Sequence, residues 1–526
     1  MKVIEGASIT ADQIVSADVC VIGSGCGGAS LAMRLSERGY RVVILEQGGY
    51  YPREELDQRE VHSLAKIDGG RGLHTSDHAG VALTYGNNIG GASVHYWADS
   101  YRTPSDRLAL WADGFGLQGH GLDVLTPHFA QIEADLHVHP AEDGYANTMN
   151  LKVRDAATGL GWDVARVPQA RRACAKSGYC HQGCSYDAKQ SQMVTYLPRA
   201  AAAGAQIYAD CRAVLLHRDG PKVQAVSAAV LDRATGQRTG RMVRVDARAV
   251  VVAAGGYGTP ELLLSQGYKD RLPSLGEHFF CNPCPQVYAR FDEEIVLWRN
   301  IPAAWAVEGF RLARHEGGPT GAPTGFFGDQ GTYLEGGYLL MPNQLQPALL
   351  AAVLPGVGAT HRALMRDLPR LGGTIAWIDD AEPGRVTWDG QRRRIWVPLI
   401  GGNALRIRDA WKKQAKLLFA AGAREVLFAD ADDTRVSAAA EIDATVDRIS
   451  LRPGRNLFAA PHPGGACRMG VSENDSVVGM DHRVHSTDNL YVADGSVFPT
   501  GPSVDPSLSI LAFSFVAADA VAQALG

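Results

Sequence analysis

The chain has 526 residues, 46% of them apolar and 20% charged, with a formal net charge of −5. That is the composition of a globular enzyme of more than one structural unit, and it excludes a disordered chain. No excess of Lys and Arg exists to meet a polyanion, which excludes nucleic acid and an anionic membrane surface as partners, and the basic run Arg392 to Arg394 reads as a solvated face.

The first seventeen residues, MKVIEGASITADQIVSA, lack the charged and apolar regions of a signal peptide, and no window approaches eighteen uninterrupted apolar residues. The expectation is a cytoplasmic protein with no membrane span. Residues 18–46 then read as strand, glycine turn, helix, strand. Val19 to Ile22 is a buried-strand run, Ala29 to Arg38 has helical spacing, Gly39 closes the helix, and Val42 to Leu45 is the second strand. Within this βαβ unit Gly23, Gly25 and Gly28 form G-x-G-x-x-G, and Glu46 ends the second strand. The glycines suit a tight turn, close approach to a pyrophosphate and helix packing, and the acid suits ribose hydroxyls. An acid at this position argues against a 2′-phosphate and leaves NAD or FAD.

Nine cysteines follow along the chain. Cys20, Cys26, Cys211 and Cys467 sit in apolar or glycine-flanked contexts that suit reduced, packed thiols. Cys174, Cys180 and Cys184 have C-x5-C-x3-C spacing, which could hold an iron-sulfur cluster or be a loop of free thiols. Cys281 and Cys284 form a single C-x-x-C, weak evidence for zinc. A second parallel-type strand is predicted at Ala249 to Ala254, ahead of a glycine turn and helix, and a third at Leu490 to Val492, ahead of Asp494 and Gly495.

The fold class expected is α/β, with a discontinuous Rossmann-like dinucleotide-binding domain and a substrate domain whose largely antiparallel sheet is flanked by helices. The dinucleotide domain takes residues 1–110, 180–280 and 445–526, residues 111–179 connect or cover it, and residues 281–444 form the substrate domain. There, strand-like runs at Gly337 to Met341, Thr374 to Ile378, Arg385 to Trp388 and Arg394 to Leu399 alternate with helical stretches at 345–368 and 403–421. The Asp/Ala-rich stretch 429–446 reads as a surface loop. Near the C-terminus, Asp505 and Pro506 have the form of a helix start, with the carboxylate as cap.

Four segments, LEQGG at 45–49, NIGGASVHYW at 88–97, HPGGACRMG at 462–470 and NLYVADGSVFPTGPSVDPSLSI at 489–510, resemble the glucose-methanol-choline (GMC) family of FAD-dependent oxidoreductases. The resemblance runs from about residue 17 to the C-terminus. It implies FAD rather than NAD, oxidation of an alcohol, and oxygen or another electron acceptor. It also implies that His462 is the catalytic base, that Asp494 and Gly495 meet the phosphate and ribityl chain, that Gly90 and Gly91 lie along the isoalloxazine, and that Val214 contacts adenine. Ala254 and Pro506 fall among the flavin-binding positions, and His95 falls where some members attach the flavin covalently. The cysteine spacing is similar to that of cluster-bearing sugar dehydrogenases of the family, while Gly183 to Ser191 matches a segment of cluster-free long-chain alcohol oxidases.

Imidazole is the side chain that titrates near neutral pH, which gives His462 an independent case as base. Asp505 departs from the family, which has Asn or His at that position. It is read as a protonated donor to the substrate, as an ionised partner of His462, or as a selector of a substrate ammonium. An ionised Asp505 beside the reduced flavin would favour a dehydrogenase over an oxidase. With the acidic pair Asp379 and Asp380, it points to a polar alcohol: a sugar, polyol or amino sugar of the aminoglycoside-precursor kind. The alternatives are a long-chain or sterol alcohol oxidase, a flavoprotein that does not oxidise alcohols, or an NAD-dependent dehydrogenase.

Overall fold

The computed structural model describes residues 1–72, 74–318, 320–321, 331–456 and 458–526. The first of two large sheets has the order Gln206–Tyr208, Val42–Leu45, Gln13–Ile22, Arg238–Val252, Lys222–Leu231, Cys211–Asp219, with Leu490–Val492 pairing beside Arg238–Val252. The strands from 206–208 through 13–22 to 238–252 and 490–492 are parallel, and the other two are antiparallel. Val19 to Ile22 and Val250 to Val252 are fully or nearly fully buried, as expected of strands covered on both faces. The register aligns Ile22 with Leu45 and with Val252, and Val252 with Val492. Four carboxyl ends therefore open at one edge, where α/β sheets place their ligands.

The helix after the glycine turn is Cys26–Glu37, and Gly39 (φ +90°) ends it in a left-handed conformation open to glycine. It packs on the last helix, Ser507–Leu525. That last helix is long and apolar enough to cross a membrane by length and composition. Its buried Leu508, Leu511, Phe513 and Phe515 belong instead to the core it forms with Cys26–Glu37 and with Leu122–Asp135, as in a core helix.

The second sheet is antiparallel throughout, in the order Arg435–Val436, Glu425–Phe428, Gln286–Arg290, Leu371–Ile378, Tyr338–Pro342, Trp305–Val307, Val164–Arg166. Strand Leu371–Ile378 is buried at every residue, since alternate side chains serve opposite faces. Ala376 and Ile378 pack in the core that contains helix Gly401–Ala420, and Ile375 and Trp377 face the other way. The two sheets enclose the cavity between them.

Several boundaries differ from the sequence reading. Segment 111–179, expected to connect or cover the dinucleotide domain, contributes elements to both halves: strand Val164–Arg166 forms the edge of the second sheet, helix Thr148–Gly159 packs on Gly401–Ala420, and helix Leu122–Asp135 packs on Ser507–Leu525. Backbone pairing and helix packing, which no local pattern announces, divide it. The stretch 429–446 is not a plain loop, because Arg435–Val436 adds an edge strand and Ile442–Arg448 is a helix that buries Ile442 and Val446. Those two side chains are four residues apart and so share one helix face. The helical stretch 345–368 is two helices, Pro347–Val353 and Ala359–Arg366, separated at Pro355, Gly356 and Gly358.

Candidate active site

The glycine turn divides its labour. A Cβ at Gly23 (φ +103°) would lie 2.3 Å from the Ala253 carbonyl oxygen, and one at Gly28 would lie 2.0 Å from the Gly23 carbonyl oxygen. Gly27, which sequence reasoning missed although it stands in the GCGG run, is tighter still, at 1.7 Å from the Ala493 carbonyl oxygen. These three let the helix seat against the sheet edge. Gly25 is different: the nearest atom to its Cβ would be Gly91 Cα at 3.9 Å, so the space over it is open. It also precedes the helix N-terminus, where a phosphate is favoured.

Glu46 is buried and accepts hydrogen bonds from Ser24 N (3.0 Å), Ser24 Oγ (2.8 Å) and Gly48 N (2.9 Å). Burial raises its pKa and those bonds oppose the rise. Ser24 Oγ accepts in turn from Gly90 N at 3.0 Å, which ties the Gly90–Gly91 loop to the turn. Asp494 is likewise buried, accepting from Gly255 N (2.8 Å), Ser496 N (2.9 Å) and Thr259 Oγ1, and it joins the third strand to helix Gly255–Ser265. Its carboxyl is pushed up by burial against those bonds.

A cavity of about 710 Å³ runs from this edge to the second sheet, within the size range of small-molecule and cofactor sites. Gly23, Gly25, Glu46, Gly91, His95, Val214, Ala254, Asp494, Gly495, Pro506, His462 and Asp505 all line it. Gly28 and Gly90, also expected at the cofactor, do not line it. The open cradle over Gly25, the buried acid at Glu46 and the length of the cavity fit a dinucleotide.

At the other end His462 and Asp505 meet, with Nε2 to Oδ1 at 3.2 Å and both side chains nearly nine-tenths buried. Trp377 packs on the His462 ring at 5.1 Å between centroids. Asp505 does not cap the last helix, whose N-cap is Pro506 without a side-chain bond. The carboxylate turns into the cavity, where Oδ1 takes the imidazole and Oδ2 has no partner. Asp99, absent from the sequence reading, is the second acid here. It is 1% exposed, accepts from Gln169 Nε2 at 2.7 Å, leaves Oδ2 without a partner and lines the same cavity. Burial first, and the charge of Asp505 second, hold its carboxyl well above the usual carboxylate range.

His95 is buried on the cavity wall, edge-on to His181 at 5.7 Å, with Nε2 unpartnered. Burial, with the charges of His181 and Lys189, pushes it well below the ordinary histidine range, so it is a neutral imidazole. Cys174 and Cys180 lie against one atom, Arg171 Nη1, at 3.8 and 3.5 Å. Among the described residues no group of three His, Cys, Asp or Glu could hold a metal ion, so Cys174, Cys180 and Cys184 are not gathered into a ligand set, nor are Cys281 and Cys284 part of one. The pair Asp379 and Asp380 does not reach the cavity, against the sequence reading. Asp379 is ion-paired with Arg107, and Asp380 accepts from Cys281 N and Asn282 N. Both acids are thereby consumed by structure.

Comparison with known proteins agrees with this arrangement. Residues 43–284 and 385–514 match the N- and C-terminal GMC oxidoreductase family models, and residues 21–64 match an NAD(P)-binding Rossmann-like domain. A GMC-type oxidoreductase of Mycobacterium tuberculosis is 30% identical over 99% of this chain and 78% of its own. A long-chain-alcohol oxidase of Arabidopsis thaliana is 24% identical over 95% of this chain and 68% of its own. Among solved structures, pyridoxine 4-oxidase from Mesorbium loti superposes with a TM-score of 0.69 at 17% identity, covering 96% of this chain and 99% of that one, a likeness of fold. The chain belongs to the GMC oxidoreductase family, FAD-dependent alcohol oxidases and dehydrogenases, and FAD is the cofactor that its glycine turn and cavity serve.

Proposed function

We propose that His462 is the base for oxidation of a polar alcohol, a sugar, polyol or amino sugar such as an aminoglycoside precursor, and that electrons leave to oxygen or another acceptor. The observation that carries this reading is the convergence of His462 Nε2 and Asp505 Oδ1 at 3.2 Å inside the cavity, beside a second buried acid. FAD, when bound, supplies the acceptor for the carbinol hydride. His462 takes the hydroxyl proton, and the Asp505 carboxylate stands beside the cation this creates. Trp377 fixes the imidazole plane by packing. Asp99, whose carboxyl burial and the charge of Asp505 hold up, stands with His462 and Asp505 on the cavity wall. The Gly23–Gly28 turn, Glu46, Gly91, Val214, Ala254, Asp494, Gly495 and Pro506 would hold the cofactor along the sheet edge, with His95 beside it.

A second reading, a long-chain alcohol, is favoured by Leu345, Leu349, Ala352 and Val353, which line part of the cavity. The Arabidopsis relative is a long-chain-alcohol oxidase. Anaerobic bleaching of the flavin by amino sugars, neutral sugars and long-chain alcohols separates the two, and bleaching by the long-chain alcohols alone would replace the first reading with the second. For the base, His462→Ala is expected to slow flavin reduction by roughly 10²–10⁴-fold with FAD content unchanged. Equal reduction rates in variant and wild type would remove His462 from that role.

A further inference from the structure

The face of the second sheet that looks into the cavity changes character along its length. On strand Leu371–Ile378, Trp377 packs on His462, and Ile375 lies two residues away on the same face. Gln286 pairs directly with Ile375, so its side chain shares that face. Two residues further is Gly373, which pairs with Tyr288 on one side and whose carbonyl accepts from Asn343 N (2.9 Å) on the other. A Cβ at Gly373 would sit 2.7 Å from the Tyr288 ring. The missing side chain lets that ring lie over the strand, and its hydroxyl reaches Asn343.

Three buried polar side chains meet there. Gln286 Oε1 accepts from the Tyr288 hydroxyl and from Asn343 Nδ2 (2.9 Å), and the Tyr288 oxygen accepts from Asn343 Nδ2 (3.0 Å). The internal bonds leave two groups over: Asn343 Oδ1 is buried and has no partner, on a residue that is 0% exposed and lines the cavity, and Gln286 Nε2, on a second lining residue, donates to neither neighbour. A buried carbonyl without a donor is costly, and the ring of bonds prevents the amide from turning to water.

We propose that this corner recognises a second hydroxyl of the substrate, remote from the carbinol at His462, through Asn343 Oδ1. The proposal rests on the alcohol-oxidation reading above. The corner offers an acceptor, Asn343 Oδ1, beside a donor, Gln286 Nε2, a pair that a hydroxyl can meet because it both donates and accepts, and none of the three side chains carries a charge to offset an ammonium, which selects hydroxyl over amine. From Trp377 to Gly373 the strand advances four residues, about 13 Å at roughly 3.3 Å per residue. The substrate therefore carries its two hydroxyls at opposite ends of an extended body, whose middle lies along Ile375 and Trp377. Such a site discriminates strongly, because an analogue without the second hydroxyl leaves the carbonyl unpaired.

The test compares terminal diols of increasing length with primary alkanols of the same length, by anaerobic reduction of the holoenzyme flavin. The expected result is an optimum length at which the wild type prefers the diol in kcat/KM by about tenfold or more, and loss of that preference in Asn343→Leu. Equal use of both alcohols at every length, or a preference that survives in Asn343→Leu, overturns the second-hydroxyl site and leaves alcohol oxidation standing. Failure of both series, together with the sugars and amino sugars, to reduce the flavin defeats the alcohol reading itself and the inference with it. Should Asn343→Leu not accumulate as yellow holoprotein, the wild-type preference decides alone.

Discussion

Two buried carboxyls that share a cavity cannot both ionise without cost, and burial together with the charge of Asp505 holds the Asp99 carboxyl up. A raised pKa keeps the acid protonated at pH values where an ordinary carboxyl has ionised, and lets it ionise only as pH climbs through the raised value. Asp99→Asn keeps a neutral donor at that position, so kcat/KM below the raised pKa is expected to stay within a few-fold of wild type. On the alkaline side the wild type gains a second negative charge beside Asp505 and loses activity, while the variant does not. A pH profile of kcat/KM checks this, and an unchanged alkaline limb in Asp99→Asn would show that another group sets it. His462 was legible in the sequence because its HPGG setting is contiguous. Asp99 was not, because its neighbours Ala98 and Ser100 carry no signal and its partners arrive from residues 169 and 505.

At the scale of elements, the turn between Gln13–Ile22 and Cys26–Glu37 separates folding from binding. Gly25→Ala places its methyl group in open space, so the variant is expected to fold with a near wild-type melting temperature as apoprotein and to lose FAD, read as lost flavin absorbance. Gly27→Ala drives a methyl into the Ala493 carbonyl and is expected to abolish soluble protein or lower the melting temperature sharply. Retention of FAD by Gly25→Ala would mean that no phosphate approaches that backbone. The four glycines look alike in sequence, and only the strand ends packed against them tell them apart. The helix start at Asp505 and Pro506 shows the converse. The local pattern places the helix correctly, from Ser507, yet the acid that looks like its cap is drawn to His462 instead.

Across the whole molecule, Arg107 on helix Ser105–Phe115 fastens the two halves. Its Nη1 donates to Thr500 Oγ1 at 3.1 Å, from the loop that leads to Asp505, and its Nη2 pairs with Asp379 of the second sheet. Both charged side chains are at most 3% exposed. Arg107→Leu leaves the buried Asp379 carboxylate with only the longer contact to Arg406, at 3.9 Å, and is expected to cost about 3 kcal/mol of stability, measured by chemical denaturation. If the variant is as stable as wild type, the pair does not hold the halves together.

The sequence by itself determined the βαβ unit with its terminal acid Glu46, because it rests on residues close together in the chain whose spacing dictates backbone geometry, and its four motif segments marked the family. Tertiary structure decided the rest. It gave strand Val164–Arg166 and helix Thr148–Gly159 to the second sheet, used Asp379 and Asp380 as structural acids, set Arg171 between two cysteines, and brought Asp99 and Asn343 to the cavity. The physical reason is that burial, charge pairing and an unmet hydrogen bond depend on distances between atoms that sequence separation does not record.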